Sequence, residues 1–399
     1  MTFSFSRRAF VSQALLGAGV AALGAKAAEK PIAGFDETNA GNVRNAVWQP
    51  VSDRKIKVGI AGYGVCKFGG QFGFQEHPNV EVVAATDLFP DRCAELAKVT
   101  GAKKTYASCE EMLEKDREIE AVYIATDAPS HVQLCIKGLK RGLHVASAVP
   151  AVFGEEQLGL ADELLATVRQ TGLVYALFET SAFRAEGYAM REIYKAGGFG
   201  KLIFTEGEYY HYMDKHIGSY KDWRVGLPPQ YYPTHSNAFY TCVTGGSFTE
   251  VSCLAMPSLL SDFQPGNNRY KNPFATEIAL FRTSEGGMAR MAVSWDMPGA
   301  HGEKGRVYGQ KGSYEARYEG LADVSKVSSA KPQLPPKMQA GGHGGSHGYL
   351  TDDFITAILL KRQPVCDVAC ALNTTVAGIV AHQSAVKGGE TLKIPQYRG

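Results

Sequence analysis

Gly62-Tyr63-Gly64-Val65-Cys66-Lys67 follows an apolar run, Ile56–Ala61, and opens a stretch able to form a helix. A strand, a glycine turn and a helix start together aim backbone N–H groups at one point, the arrangement that binds a pyrophosphate. The first glycine permits the tight turn and the second lets the backbone approach the phosphates. Gly62, Tyr63, Gly64, Val65 and Cys66 are therefore candidate contacts to a dinucleotide. Lys67 stands where a third glycine or alanine is expected, which predicts looser packing of helix on strand. Asp87 closes the next apolar run, Val80–Thr86. A carboxylate there can accept from ribose hydroxyls and repel a 2′-phosphate, which favours NAD over NADP. His343 and His347, with Asp352 and Asp353 nearby, have the residue types of a metal site. They sit in a glycine-rich loop whose spacing fixes no common face, so no metal is assigned.

The elements that must hold these residues alternate. Strands are expected at Ile56–Ala61, Val80–Thr86, Ala121–Thr126, Leu143–Ser147 and Leu173–Phe178. Between them, helices are expected to about Gln75 and at Asp91–Val99, Ser108–Glu114, Val132–Arg141 and Glu155–Gln170. This alternation implies an α/β unit, a doubly wound parallel Rossmann sheet. After Glu179 the pattern changes to a helix at Ala185–Ala196, a strand at Leu202–His211 and a hairpin of Thr276–Arg282 with Met288–Asp296. Short strands at Arg306–Tyr308 and Gly312–Tyr318, a loop over 325–345, and helices at Asp352–Lys361 and Thr374–Lys387 complete an α+β domain with a largely antiparallel open sheet.

Four segments are expected along the 399 residues: a signal peptide (1–28), a linker (29–53), a nucleotide domain (54–178) and a substrate and catalytic domain (179–399). Ser6-Arg7-Arg8 before the apolar run Ala14–Ala22, with Ala25-Lys26-Ala27 after it, reads as a twin-arginine-type export signal. The expected location is therefore periplasmic. The apolar run is too short to span a bilayer, so no membrane span is expected in the mature form. A net charge of +2 without a Lys/Arg block gives no case for nucleic acid. The eight cysteines are irregularly spaced, with no C-x-x-C, and read as mostly buried thiols. Cys366 and Cys370 are the pair with room for a further role.

Thr126-Asp127-Ala128-Pro129-Ser130-His131, Gly142-Leu143-His144-Val145 and Ser147-Ala148-Val149-Pro150 resemble segments of the Gfo/Idh/MocA oxidoreductases, over about residues 54 to 395. The resemblance implies that Thr126, Ala128, Pro129, His131, Ala148, Val149 and Thr180 lie along the cofactor. Ala148 and Val149 occupy the place of the family's Glu-Lys pair, and valine cannot move a proton. Tyr231-Tyr232-Pro233-Thr234-His235 resembles the Tyr-Pro-Thr-His segment of the NAD-dependent glycosidase branch, glycoside hydrolase family 109, which also carries valine there. The likeness implies that His235, with a near-neutral pKa, takes the hydroxyl proton, assisted by Tyr232. Glu179 and His211 are candidates for a carbon-bound proton. Tyr209, Arg224, Thr234 and His343 are candidate substrate contacts, and Phe183 stands where the branch has a tyrosine.

The expectation is an exported enzyme that retains NAD and acts on a carbohydrate or glycoside, as a homo-oligomer. Glycoside cleavage through transient oxidation returns the cofactor unchanged, which suits a compartment poor in free NAD. The alternatives are a sugar dehydrogenase or sugar–sugar oxidoreductase without cleavage, and a sugar-binding protein that has lost catalysis.

Overall fold

The computed structural model describes residues 47–399. The expected signal segment, 1–28, lies outside the described residues, as does the linker as far as residue 46. Asn79 donates to the carbonyls of Ser52 (2.6 Å) and Arg54 (2.7 Å), so the end of the linker is fastened to the first domain.

That domain is built from β1 (Ile56–Ala61), α1 (Phe68–Gln71), β2 (Val80–Thr86), α2 (Pro90–Thr100), β3 (Lys104–Tyr106), α3 (Cys109–Lys115), β4 (Ala121–Ile124), α4 (His131–Lys140), β5 (His144–Ser147), α5 (Leu158–Thr171) and β6 (Tyr175–Leu177). All its strand pairs are parallel, in the order β3-β2-β1-β4-β5-β6. The strand order reverses between β1 and β4, which opens a crevice at their C-terminal ends. Helix boundaries follow local chemistry. Pro90 opens α2 and left-handed Gly101 ends it, while the Ser108 hydroxyl caps α3 by accepting from Glu111 N. Strand β3 escapes the sequence reading because Lys-Thr-Tyr has no apolar alternation.

The second domain contains α6 (Ala185–Lys195), β7 (Leu202–His211), α7 (Thr234–Thr244), β8 (Phe248–Pro257), β9 (Phe274–Thr283), β10 (Met288–Ser294), β11 (His301–Gly309), β12 (Gly312–Tyr314), β13 (Tyr318–Gly320), the turn α8 (Gly342–Gly345), α9 (His347–Leu360), α10 (Val368–Val386) and β14 (Leu392–Lys393). Its sheet runs β13-β12-β11-β7-β10-β9-β8-β14 and is antiparallel except for the β7–β10 pair. Strand β8 was missing from the sequence reading, and β11 begins five residues earlier than expected. The outward face carries exposed Leu254, Ile278, Leu280 and Met288, an apolar strip across β8, β9 and β10.

Two glycines place α7, the helix that carries His235. Gly207 on β7 and Gly305 on β11 are register partners. A side chain at Gly207 would meet the Ser236 carbonyl at 2.0 Å, and one at Gly305 would meet the Phe239 ring at 2.1 Å. The pair leaves a trough in the sheet floor, and α7 lies in it. The C-terminal segment belongs to both domains. Phe72, Phe74, Tyr123 and Phe178 of the first domain cluster with Phe354 on α9, at ring separations of 4.9–6.4 Å. The Thr351 hydroxyl donates to the Phe72 carbonyl (2.8 Å), and His77 pairs with Asp352 (3.2 Å).

Candidate functional site

A cleft of about 760 Å³ starts at the crevice between β1 and β4 and runs towards α7. Gly62, Gly64, Val65, Cys66, Asp87, Thr126, Ala128, Pro129, His131, Ala148, Val149, Tyr232 and Arg224 line it. Gly62 has φ 105°, and a Cβ there would sit 2.2 Å from the Ala125 carbonyl oxygen. A Cβ on Gly64 would meet nothing within 4 Å and would stand in the cleft. The two glycines therefore separate experimentally. Gly62→Ala should destabilise the fold by on the order of 3 kcal/mol, whereas Gly64→Ala should keep the thermal midpoint and lose nicotinamide affinity. Equal midpoints for both variants would refute the distinction.

Lys67 does not loosen the helix as expected. It takes a left-handed turn (φ 51°) that delays the start of α1, and Gly69 makes the close approach instead. A side chain at Gly69 would lie 2.3 Å from the Gly62 carbonyl. Tyr63 departs from its expected role, because its ring is buried within the domain and only its backbone faces the turn. Its N–H donates to Asp87 (2.6 Å), whose other oxygen accepts from Phe89 N (2.9 Å). These bonds fix the carboxylate at the cleft wall. Arg92, unnoticed in the sequence, lies beside it with its guanidinium 4.4 Å from the Phe89 ring. His131 is buried and bridges the loops after β4 and β5, facing the carbonyls of Thr126 (3.2 Å) and Pro150 (3.1 Å). Burial lowers its pKa, so it is a neutral brace.

Glu179, His235 and Glu303 form a buried cluster in which one side-chain N or O atom of each lies within 4.8 Å of the others. His235 Nδ1 lies 2.9 Å from Glu179 Oε1 and 3.2 Å from the Thr180 hydroxyl. Glu179 Oε1 also accepts from Ser181 N (2.8 Å), and the Ser181 hydroxyl donates to Glu303 (2.7 Å). Burial pulls the His235 pKa down, but the carboxylates of Glu179 and Glu303 outweigh it and hold the pKa at about 9. The near-neutral value expected from sequence is therefore corrected: His235 is an imidazolium at pH 7. Glu179 remains ionised despite complete burial, because the His235 charge overcomes desolvation.

Three other expected roles change. Glu179 has no exposed surface and cannot meet a substrate, so it positions His235. Thr180 bonds His235 rather than lining the cofactor cleft. Thr234 is wholly buried at the start of α7, which removes it from the substrate contacts. The remaining candidates do converge. Tyr209 packs edge-on against His235 (4.7 Å between rings), and Tyr232 lies 5.7 Å away. Burial pushes the Tyr232 hydroxyl up to about 12, opposed by Arg224. Arg224 lies over the rings of Trp223 (4.2 Å) and Tyr232 (5.7 Å), with no carboxylate ion pair among the described residues. His211 stacks near Tyr209 (6.2 Å), and burial keeps it neutral.

His343 reaches the same place from the far end of the chain. Its ring is 6.2 Å from His235 and 5.6 Å from Phe68, which lines the cleft. Gly342 N donates to His347 Nδ1 (3.3 Å), which leaves the His347 proton on Nε2, facing His343 Nδ1 at 2.8 Å. Burial, then the neighbouring histidine, holds both rings below the ordinary range, His347 at about 4. Neutral His343 therefore presents an Nε2–H donor rather than a base. Lys331 fastens this loop by donating to the carbonyls of Phe183 (2.9 Å) and Gly345 (2.5 Å). The acids that suggested a metal are engaged elsewhere, Asp352 with His77 and Asp353 with Arg362.

Glu303 is the main residue that sequence reading missed. It shares the inward face of β11 with Gly305 and Val307, and the period of two would have revealed it had the strand been drawn from His301.

Residues 56–178 match the family model described as an oxidoreductase family with an NAD-binding Rossmann fold, GFO_IDH_MocA. A glycosyl hydrolase family 109 protein from Bacteroides fragilis is 27% identical over 179 residues, 43% of this chain and 38% of that protein. The match thus spans under two fifths of that relative's length. One from Streptomyces niveus is 24% identical over 390 residues, covering 86% of this chain and 77% of its own. Levoglucosan dehydrogenase solved with NADH and levoglucosan superposes with a TM-score of 0.70 at 15% identity, over 86% of this chain and all of that one. The scyllo-inositol dehydrogenase of Lactobacillus casei gives 0.64 at 16%, over 86% and 99%. The fold is what these structures share with the chain.

Proposed function

We propose that this chain, whose residues 56–178 match the Gfo/Idh/MocA oxidoreductase model, is an exported NAD-dependent member of that family that cleaves glycosides by transient oxidation. The observation that carries this reading is the buried His235–Glu179–Glu303 cluster, whose histidine ring lies 5.7 Å from that of Tyr232 on the cleft wall. The glycine turn, Asp87 and the open space at Gly64 fit a dinucleotide, which when bound supplies reversible hydride transfer. The chain's own groups manage the protons. The sugar C3 hydroxyl gives its proton to neutral His235 as the hydride leaves. The resulting ketone acidifies the C2–H; a base takes that proton, and the C1 substituent departs, protonated by solvent, as the C1–C2 double bond forms. Water adds, the hydride returns, and His235 hands its proton back to the oxygen. The net reaction is glycoside plus water giving sugar plus aglycone.

His211, neutral and half-buried, is the base left for the C2 proton once Glu179 is excluded. His343 Nε2–H and Arg224 orient the sugar oxygens. Export rests on Arg7-Arg8 and the apolar run behind them, and a cycle that restores NAD suits that compartment.

The test is turnover of a glycoside panel by NAD-loaded protein in deuterated water. Released aglycone with deuterium at C2 is the expected result. A lactone or keto-sugar without exchange would establish plain sugar oxidation instead. Ligand binding with no nicotinamide absorbance change, unaltered in His235→Ala, would mark a binding protein.

A further inference from the structure

Three thiols meet between α7, the helix that carries His235, and the start of α10. Cys242 is on α7, two turns beyond His235; Cys366 precedes α10, and Cys370 lies in its first turn. Cys370 Sγ is 3.6 Å from Cys242 Sγ and 3.7 Å from Cys366 Sγ, and all three sulfurs fall within 4.8 Å of one another. Cys242 and Cys366 are buried. Cys370 is half-buried and borders a second cavity of about 450 Å³, with Asp367, Asn373 and Arg398 on its wall.

We propose that Cys242, Cys366 and Cys370 bind one thiophilic d10 cation, zinc(II), with the fourth position open to this cavity. Zinc bonds thiolates at about 2.3 Å, so sulfurs at two corners of its tetrahedron stand about 3.8 Å apart. The separations of 3.6 and 3.7 Å are already close to that edge. Sulfur ligands select a soft or borderline ion. Three thiolates around a divalent ion leave one net negative charge, whereas a monovalent ion would leave two in a buried place. Arg398 lines the same cavity, and the Asp367 carboxylate beside it caps α10 by accepting from Cys370 N (2.9 Å). Zinc replaces three thiol protons, which pass to solvent, and a water from the cavity completes the tetrahedron. A disulfide would join only two of the sulfurs and leave the third against it. The ion would clamp α7 to α10 and so steady the helix that carries His235.

The full chain, reduced and freed of metal, is incubated with zinc chloride, desalted and analysed for metal. The expected result is one zinc per chain and a raised thermal midpoint. Cd²⁺ in its place should give sulfur-to-metal charge-transfer absorption. Cys370→Ser should hold under about a tenth of that zinc while keeping its circular dichroism, with Cys366→Ala as the second variant if the first fails to fold. His343→Ala should keep its zinc, which separates the thiols from the histidine pair. The proposal fails if the wild type retains no zinc, if both cysteine variants retain it in full, or if the cysteines form a disulfide and bind no zinc once reduced. None of these outcomes depends on the sugar chemistry.

Discussion

His235→Ala is expected to lower the rate of sugar oxidation by about 10²–10⁴-fold while leaving NAD bound, the range that loss of a positioned acid/base costs. Nothing nearby can take over the proton. Val149 has no titratable group, and burial pushes Tyr232 up to about 12, too weak an acid to exist as a phenolate base at neutral pH. His343 presents a proton rather than a lone pair, because the chain from Gly342 through His347 sets its tautomer. Glu179 is sealed under His235. Removing the imidazolium leaves buried Glu179 without its counterion, whereas Glu303 keeps Arg184 at 3.6 Å, so the alanine variant also loses stability. His235→Asn, which can still donate to Glu179, separates the two effects. Single-turnover absorbance of the nicotinamide reads the chemistry, and titration reads the cofactor. A rate within about threefold of wild type in both variants would remove His235 from the proton path.

Much of the site was legible because local spacing encodes it. Gly62, Gly64 and Asp87 mark a strand–turn–helix unit whose geometry is fixed within a few residues, and the structure places all three on the cleft. Pro90, Gly101 and Ser108 announce helix ends through backbone chemistry alone. Other features depend on contacts between distant segments. Gly69 replaces the expected third glycine because Lys67 turns left-handed and shifts the helix start, an adjustment no motif spacing predicts. Thr234 belongs to a matching motif, yet α7 sinks into the trough at Gly207 and Gly305 and carries it below the reach of a ligand, while Glu179, just after β6, is fully buried beside His235. The motif identified the right neighbourhood but not which side chains face the substrate. The pKa of His235 was equally hidden, since Glu303 comes from a strand 68 residues further on.

That displaced pKa carries the second large prediction. In Glu179→Gln the strongest upward influence on His235 disappears while desolvation stays, so its pKa should fall from about 9 to below about 7. Oxidation requires the neutral ring. In the wild type its rate should therefore climb as pH rises towards 9, and in the variant that limb should move to lower pH. The plateau beyond it should also drop, because a less basic imidazole is a poorer proton acceptor. Stability changes in step. A folded pKa above the ordinary 6.5 means that the pair stabilises the fold fully below 6.5 and loses that contribution as pH passes 9, a span worth at most about 3 kcal/mol. The wild type should thus soften between pH 7 and 10 relative to the glutamine variant, which lacks the pair, while Lys331, held at about 8 by burial, adds the same opposite slope to both. NMR titration of the His235 ring in both proteins gives the pKa directly, independently of catalysis. If the ring titrates near 9 in both, Glu179 is not the group that holds the proton. If it titrates near 6.5 in the wild type, neutral His235 is available at pH 7 and the alkaline limb should be absent from the rate as well.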